Sequence, residues 1–243
     1  MKFAIVKQHL DFFYQRHYIE FENLLTPNEV ESLTDGIKTV LANRLSTQPG
    51  KLSYQKLKTL YLNGFDTWRE SDLVKKIALR PLFAEVASNL VKKKPLRIGF
   101  DQAFCTPSIE EDLEANMPPL FKHDTTICQT SCLQGISCGL ILHLSAPAVP
   151  AHLSELSIEN DVKALIPIPR QAGSGIFFSP DMPLSLEHLM VMPGALQLLI
   201  VYTEDKTFYR LNNADPQTHL YKKMGYVFGD KLKNTTHPLI YRG

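Results

Sequence analysis

The chain lacks any uninterrupted apolar stretch long enough to cross a bilayer. Its opening, MKFAIVKQHLDFF, is broken by Lys7, His9 and Asp11 and is too short and too charged for a signal peptide or a span. Charge of one sign is also missing. Twenty-six Lys and Arg stand against 25 Asp and Glu, a net charge of +1. A strongly basic surface is therefore not expected, and neither nucleic acid nor a membrane is expected as a partner. The four cysteines, Cys105, Cys128, Cys132 and Cys138, form no C-x-x-C pair, so the usual spacing of a structural zinc site is absent. Without a secretory signal they are expected to be reduced thiols in a cytoplasmic protein. No G-x-S-x-G elbow, H-E-x-x-H or P-loop occurs. Gly173 to Gly175 (GSG) is too short to cradle a phosphate and reads as a turn before a strand. Trp68 and the tyrosines show no spacing that implies base stacking.

What is present divides into two halves. The 243 residues, 44% apolar and 21% charged, suit a soluble globular fold. With no internal repeat and no low-complexity linker they read as one domain, 1–243. Its first part, about 1–95, is helical. In LLTPNEVESLTDGIKTVLANRL, Thr26 is the N-cap, Pro27 the first helical residue and Glu29 the third, a capping box. Val30, Leu33, Ile37, Val40 and Leu41 then recur on one face. YQKLKTLYLN and SDLVKKIALRPLFAEVASNLVKKK predict further helices, the second broken near Pro81. Lys92, Lys93 and Lys94 suit the negative end of its dipole. After Pro95 the pattern becomes short apolar runs between turns: LRIGFDQAF, ISCGLILHLS, GSGIFFS and ALQLLIVYT. Few helix crossovers separate them, so an antiparallel sandwich or barrel is expected over about 96–243 rather than a parallel sheet.

Three segments in this order resemble the phytanoyl-CoA dioxygenase family of iron(II)/2-oxoglutarate oxygenases. They are FFYQRHYIEFENLLTPNEVESLTDGI (Phe12 to Ile37), CGLILHLSAP with GSGIFFSPDMPLSLEH, and the tail MGYVFGDKLKNTTHPLIY. The resemblance implies an α+β fold. It would be a double-stranded β-helix, a cupin-like jelly-roll, with N-terminal helices packed on one face. It also implies a metal site of two histidines and one carboxylate, the first two ligands supplied as H-x-D, because alternate residues of an extended segment share a face.

PPLFKHDTTICQTS, Pro118 to Ser131, departs from that pattern. If Asp124 matches the family aspartate, Lys122 occupies the histidine position, and an ammonium offers a metal no lone pair. If His123 matches, the carboxylate position falls on Thr125. His188 is the histidine available for the last ligand. The family's cosubstrate arginine belongs on the strand GALQLLIVYTED, whose polar residue before Tyr202 is Gln197; Lys206 and Arg210 follow too late. The expectation is therefore a divergent, non-catalytic member, a pseudoenzyme. Lys122 and Asp124 are expected at its barrel mouth, as a pair in place of an ion. It has no metal and no cofactor, and it binds a small molecule or a protein partner. The alternative is an active dioxygenase using Fe(II) and 2-oxoglutarate through His123, Asp124 and His188. His143 reads as a core or sheet-face histidine. Cys128 or Cys132 with His123 reads as idle thiols sooner than a nucleophile and base. Glu110 to Glu114 (EEDLE) reads as a solvated helix or a lid.

Overall fold

The computed structural model describes residues 5–107, 125–145, 168–169, 171–184, 189 and 194–243. Helix α1 (Lys7–Arg16) ends at His17, which takes a left-handed φ of 62°, and leads into β1 (Tyr18–Phe21). Helix α2 (Pro27–Arg44) starts on the expected capping box: Thr26 Oγ1 accepts from Glu29 N at 3.3 Å and Glu29 Oε2 accepts from Thr26 N at 2.9 Å. Its buried stripe is Leu33, Ile37, Val40 and Leu41. Each such full burial contributes about 1.5–3 kcal/mol. Helices α3 (Leu57–Asn63), α4 (Asp72–Ala78) and α5 (Pro81–Val91) follow, and Pro81 splits the last pair as its missing N–H requires. Arg80, between them, forms an ion pair with Glu29 and so ties α5 to the cap of α2.

The strands are β2 (Leu96–Cys105), β3 (Leu133–His143), β4 (Gly175–Phe178), β5 (Leu196–Tyr209) and β6 (Leu239–Tyr241), with the one-turn helix α6 (Ile127–Thr130) before β3. They form one antiparallel sheet in the order β1-β4-β3-β5-β2-β6. All four runs read as strands are strands. Two extend beyond the runs read, β3 from Leu133 and β5 to Tyr209, and β2 is buried at all ten positions.

Burial on both faces follows from what covers the sheet. Leu96, Ile98, Ala103, Cys138, Leu140, Leu142, Phe177, Leu198, Ile200 and Tyr202 pack with α2 and α5 in one core. Phe100, Phe104, Ile141, Ile176, Phe178, Leu199 and Val201 face the other way, into a second core with Ile127, Leu184 and Leu189. A bulge at Gly99 shifts the register between Ile98 and Phe100, so that Ile98 and Asp101 share the helix-facing side. Outside the sheet is the isolated bridge Thr125–Leu184, whose Leu184 packs in the second core.

The inner face is filled at its centre. Gly139 lies against the ring of Phe178, and a Cβ at this position would collide with that ring. Gly139→Val is expected to cost about 1–3 kcal/mol in urea denaturation through overpacking. Adding Phe178→Leu should recover part of that loss, giving a negative interaction energy in the double-mutant cycle.

Candidate functional site

The inner face of the sheet carries its polar groups in cross-strand rows. His143 pairs with Gln197, which pairs on its other side with Phe104; the next row is Ile141, Leu199 and Gln102. His143 and Gln197 are fully buried, at 0% and 1% exposure, and Gln197 Oε1 has no hydrogen-bond partner among the described residues. Along β5 the inner face reads Gln197, Leu199, Val201, Thr203. None is cationic, so this strand offers no counter-charge for a dicarboxylate. Arg97 on β2 pairs with Thr203, but its guanidinium is engaged by Asp205, by Asn234 Oδ1 at 3.2 Å and by His237 O at 2.7 Å. Lys206 is exposed, and Arg210 turns its Nη2 to Cys128 O at 2.9 Å. The described residues therefore do not fit 2-oxoglutarate held by an arginine on β5.

Lys122, His123, Asp124 and His188 lie outside the described residues, as does the acidic run 110–114. What flanks them is described. Thr125 O accepts from Leu184 N at 2.8 Å in an antiparallel bridge, so the chain leaves one candidate segment beside the point where it enters the other. Among the described residues, no three His, Cys, Asp or Glu side chains meet to hold a metal ion. His143 is a buried sheet-face histidine, as expected. All four cysteines are free thiols, and burial pushes the Cys105 thiol up to about 11 and that of Cys138 up to about 12, which makes them inert.

The sequence reading missed an aromatic cavity beside these rows. It has a volume of about 40 Å³ and is lined by Tyr61, Phe65, Phe100, Phe104, Gln102 and Asp215 among others. Two loops build it. Gly64–Asp66 adds to the edge of β2, with Ala103 N donating to Gly64 O and Asp66 N to Asp101 O, both at 2.8 Å. The turn at Ala214-Asp215-Pro216 closes the far wall. Its Asp-Pro step is a turn signal, but nothing local marks the carboxylate as inward-facing.

The overall arrangement has known counterparts. No family profile and no curated protein matches the chain. Solved structures do: the non-heme α-ketoglutarate-dependent carbocyclase SnoK from nogalamycin biosynthesis superposes with a TM-score of 0.65 at 15% identity, over 97% of this chain and 96% of that one. The epimerase SnoN of the same biosynthesis gives 0.65 at 16% identity, over 97% and 98%. EctD from S. alaskensis, with bound Fe, gives 0.54 at 14%, over 82% and 77%. The fold is that of the non-heme iron oxygenases. Identities this low carry the fold and leave the chemistry to the residues.

A second buried polar cluster fastens the helical half to the sheet. Asp101, facing the helices, accepts from Thr67 N at 3.1 Å, from Trp68 N at 3.0 Å and from the Thr67 hydroxyl. Asp66 accepts from Trp68 Nε1 at 3.2 Å and Arg69 Nε at 2.7 Å. Arg69 continues to Thr236 O at 2.6 Å and to His237 Nε2 at 3.1 Å; His237 Nδ1 meets Tyr226 Oη at 3.0 Å. A guanidinium only donates, so Nε2 accepts and His237 is neutral. Burial and then the Arg69 and Arg97 charges lower its pKa to about 3. Burial and then the Asp66 charge raise Asp101 to about 7 against its hydrogen bonds. All these bonds run to backbone and to each other, which marks an anchor.

The two shifts oppose each other in pH. Between about 6.5 and 3 the unfolded state binds the proton that native His237 refuses, so stability falls on acidification. Between 3.8 and about 7 native Asp101 holds a proton the unfolded state has lost, so stability rises on acidification. In the overlap they cancel. Urea midpoints of Asp101→Asn should therefore drop more steeply than wild type from pH 6.5 to 4, and those of His237→Gln less steeply. Parallel profiles for all three proteins would contradict both assignments.

Proposed function

We propose that this chain is a divergent member of the iron(II)/2-oxoglutarate oxygenase superfamily, of the phytanoyl-CoA dioxygenase-like kind, acting as a non-catalytic binding scaffold. One observation carries the reading. The inner face of β5, where that family grips its cosubstrate, presents Gln197, Leu199, Val201 and Thr203. A carboxylate placed there loses its water and gains no charge in return, a cost of several kcal/mol. With Asp124 matched to the family aspartate, Lys122 takes the place of the first histidine, and its charge opposes a metal's, which supports the same reading. The likeness in fold to SnoK, SnoN and EctD supports common descent of the scaffold. The partner is then a small molecule or protein recognised through the barrel mouth by neutral hydrogen-bonding groups.

The Thr125–Leu184 bridge favours a second reading. It pairs Thr125, the residue after Asp124, with Leu184, four residues before His188, which favours an active oxygenase built on His123, Asp124 and His188. There the histidines and the carboxylate would hold Fe(II), which would supply oxygen activation, and the cosubstrate would have to be held by residues other than those of β5.

Anaerobic titration with Fe(II) and 2-oxoglutarate separates the two. The scaffold reading expects no stoichiometric iron, no visible charge-transfer band from a chelated 2-oxo acid, and no succinate on exposure to oxygen. Succinate formed above a heat-denatured control, and lost in His123→Ala, would overturn it in favour of the second reading.

A further inference from the structure

The aromatic cavity contains one buried carboxylate, that of Asp215. Asp215 is 7% exposed and lines it. Its Oδ2 accepts from Cys132 N at 2.6 Å and its Oδ1 from Gln217 N at 2.8 Å. These two bonds explain an acceptor at this position, since they close the turn and pin the start of β3. They and the bond from the Cys132 thiol come from neutral donors, so none of them supplies a counter-charge. The usual remedy for a buried carboxylate is a lysine or arginine. Among the described residues no cation forms an ion pair with Asp215. The titratable groups that sense its charge are Tyr61, Cys132, Tyr209 and Tyr221, all neutral acids. Burial raises the Asp215 pKa against hydrogen bonds from Gln217 N, the Cys132 thiol and Cys132 N.

What surrounds the carboxylate is suited to positive charge. Tyr61 stacks on Phe104 with centroids 6.1 Å apart, and Phe65 on Phe100 at 5.2 Å. All four rings line the same cavity, with Gln102 and Gln217 as its neutral polar members. Aromatic rings attract cations through their quadrupoles, and desolvation strengthens the attraction. Rings and one carboxylate provide no set of ligands for a divalent metal, which takes six or more oxygens or a cluster of nitrogen and sulfur donors. The volume of about 40 Å³ holds about three waters. That space admits a head group of about three heavy atoms.

From this geometry we infer that the cavity is a binding site for a compact organic ammonium, a primary or lightly methylated amine head whose charge pairs with Asp215 within the Tyr61, Phe65, Phe100 and Phe104 rings. The site lies on the inner face of the sheet and needs neither iron nor 2-oxoglutarate, so it stands or falls independently of the proposed function.

Ethylammonium and ethanol test this directly, having the same three heavy atoms and differing in charge. Isothermal calorimetry at constant ionic strength, with sodium chloride as the blank and no metal present, should show saturable binding of ethylammonium, tenfold or more weaker binding of ethanol, and weaker binding of the bulkier tetramethylammonium. Affinity for ethylammonium should strengthen as pH rises and Asp215 ionises. Asp215→Asn should weaken it at least tenfold. Tyr61→Leu, which changes a half-buried ring on the short helix α3, should weaken it several-fold. If Asp215→Asn fails to fold, the ethanol comparison and Tyr61→Leu decide. Equal binding of the cation and its neutral isostere, unchanged affinity in a folded Asp215→Asn variant, or no binding of any ammonium overturns the inference.

Discussion

Strand β5 has no solvent face from Leu196 to Thr203, and the rest of the architecture is a response to that. A strand buried on both sides needs a cover on each. Helices α2 and α5 supply one, over Leu198, Ile200 and Tyr202. The second core supplies the other, over Leu199 and Val201. Its neighbours β3 and β2 must match it row for row, since slipping by one residue would exchange the two cores. The Gly99 bulge is the one place where β2 changes phase. It turns Phe100 inward and Asp101 outward, and so creates both the aromatic wall of the cavity and the anchor for Thr67 and Trp68.

Charge is handled differently on the two sides of this sheet. On the helix side each buried ion has partners. Asp101 has three donors, Asp66 has an indole and a guanidinium, and His237 stays neutral against Arg69. Such networks are worth little net energy but fix one arrangement, because breaking any member strands the others. On the inner side Arg97 is paired with Asp205, whereas Gln197 Oε1 has no partner among the described residues, and Asp215 accepts two backbone bonds and one from the Cys132 thiol but meets no cation among them.

Much of the local structure could be read in the chain. The Thr26–Glu29 capping box, the break at Pro81, the turn at Gly173 and the four strand cores depend on short-range sterics and on hydrogen bonds between residues three or four apart. The composition of the β5 inner face was legible too, since alternation alone puts Gln197, Leu199 and Val201 together. The aromatic cavity was not. Tyr61, Phe104 and Asp215 are far apart in sequence, and none carries a local pattern pointing inward. The same holds for Asp101 and His237, whose shifted pKa values come from burial that no window of sequence contains.

The sequence by itself determined where α2 begins, where α4 gives way to α5, the cores of four strands, and that β5 carries no cation on its inward positions. Periodicity and capping act within a few residues, so they need no fold to be read. Only the tertiary structure decided that β5, late in the chain, lies between β3 and β2, that Gly99 re-phases β2, and that a lone carboxylate from the 214–216 turn faces four rings drawn from α3, its following loop and β2. Those outcomes depend on which surfaces remain to be covered once the first cores have formed. That is a property of the whole packed chain.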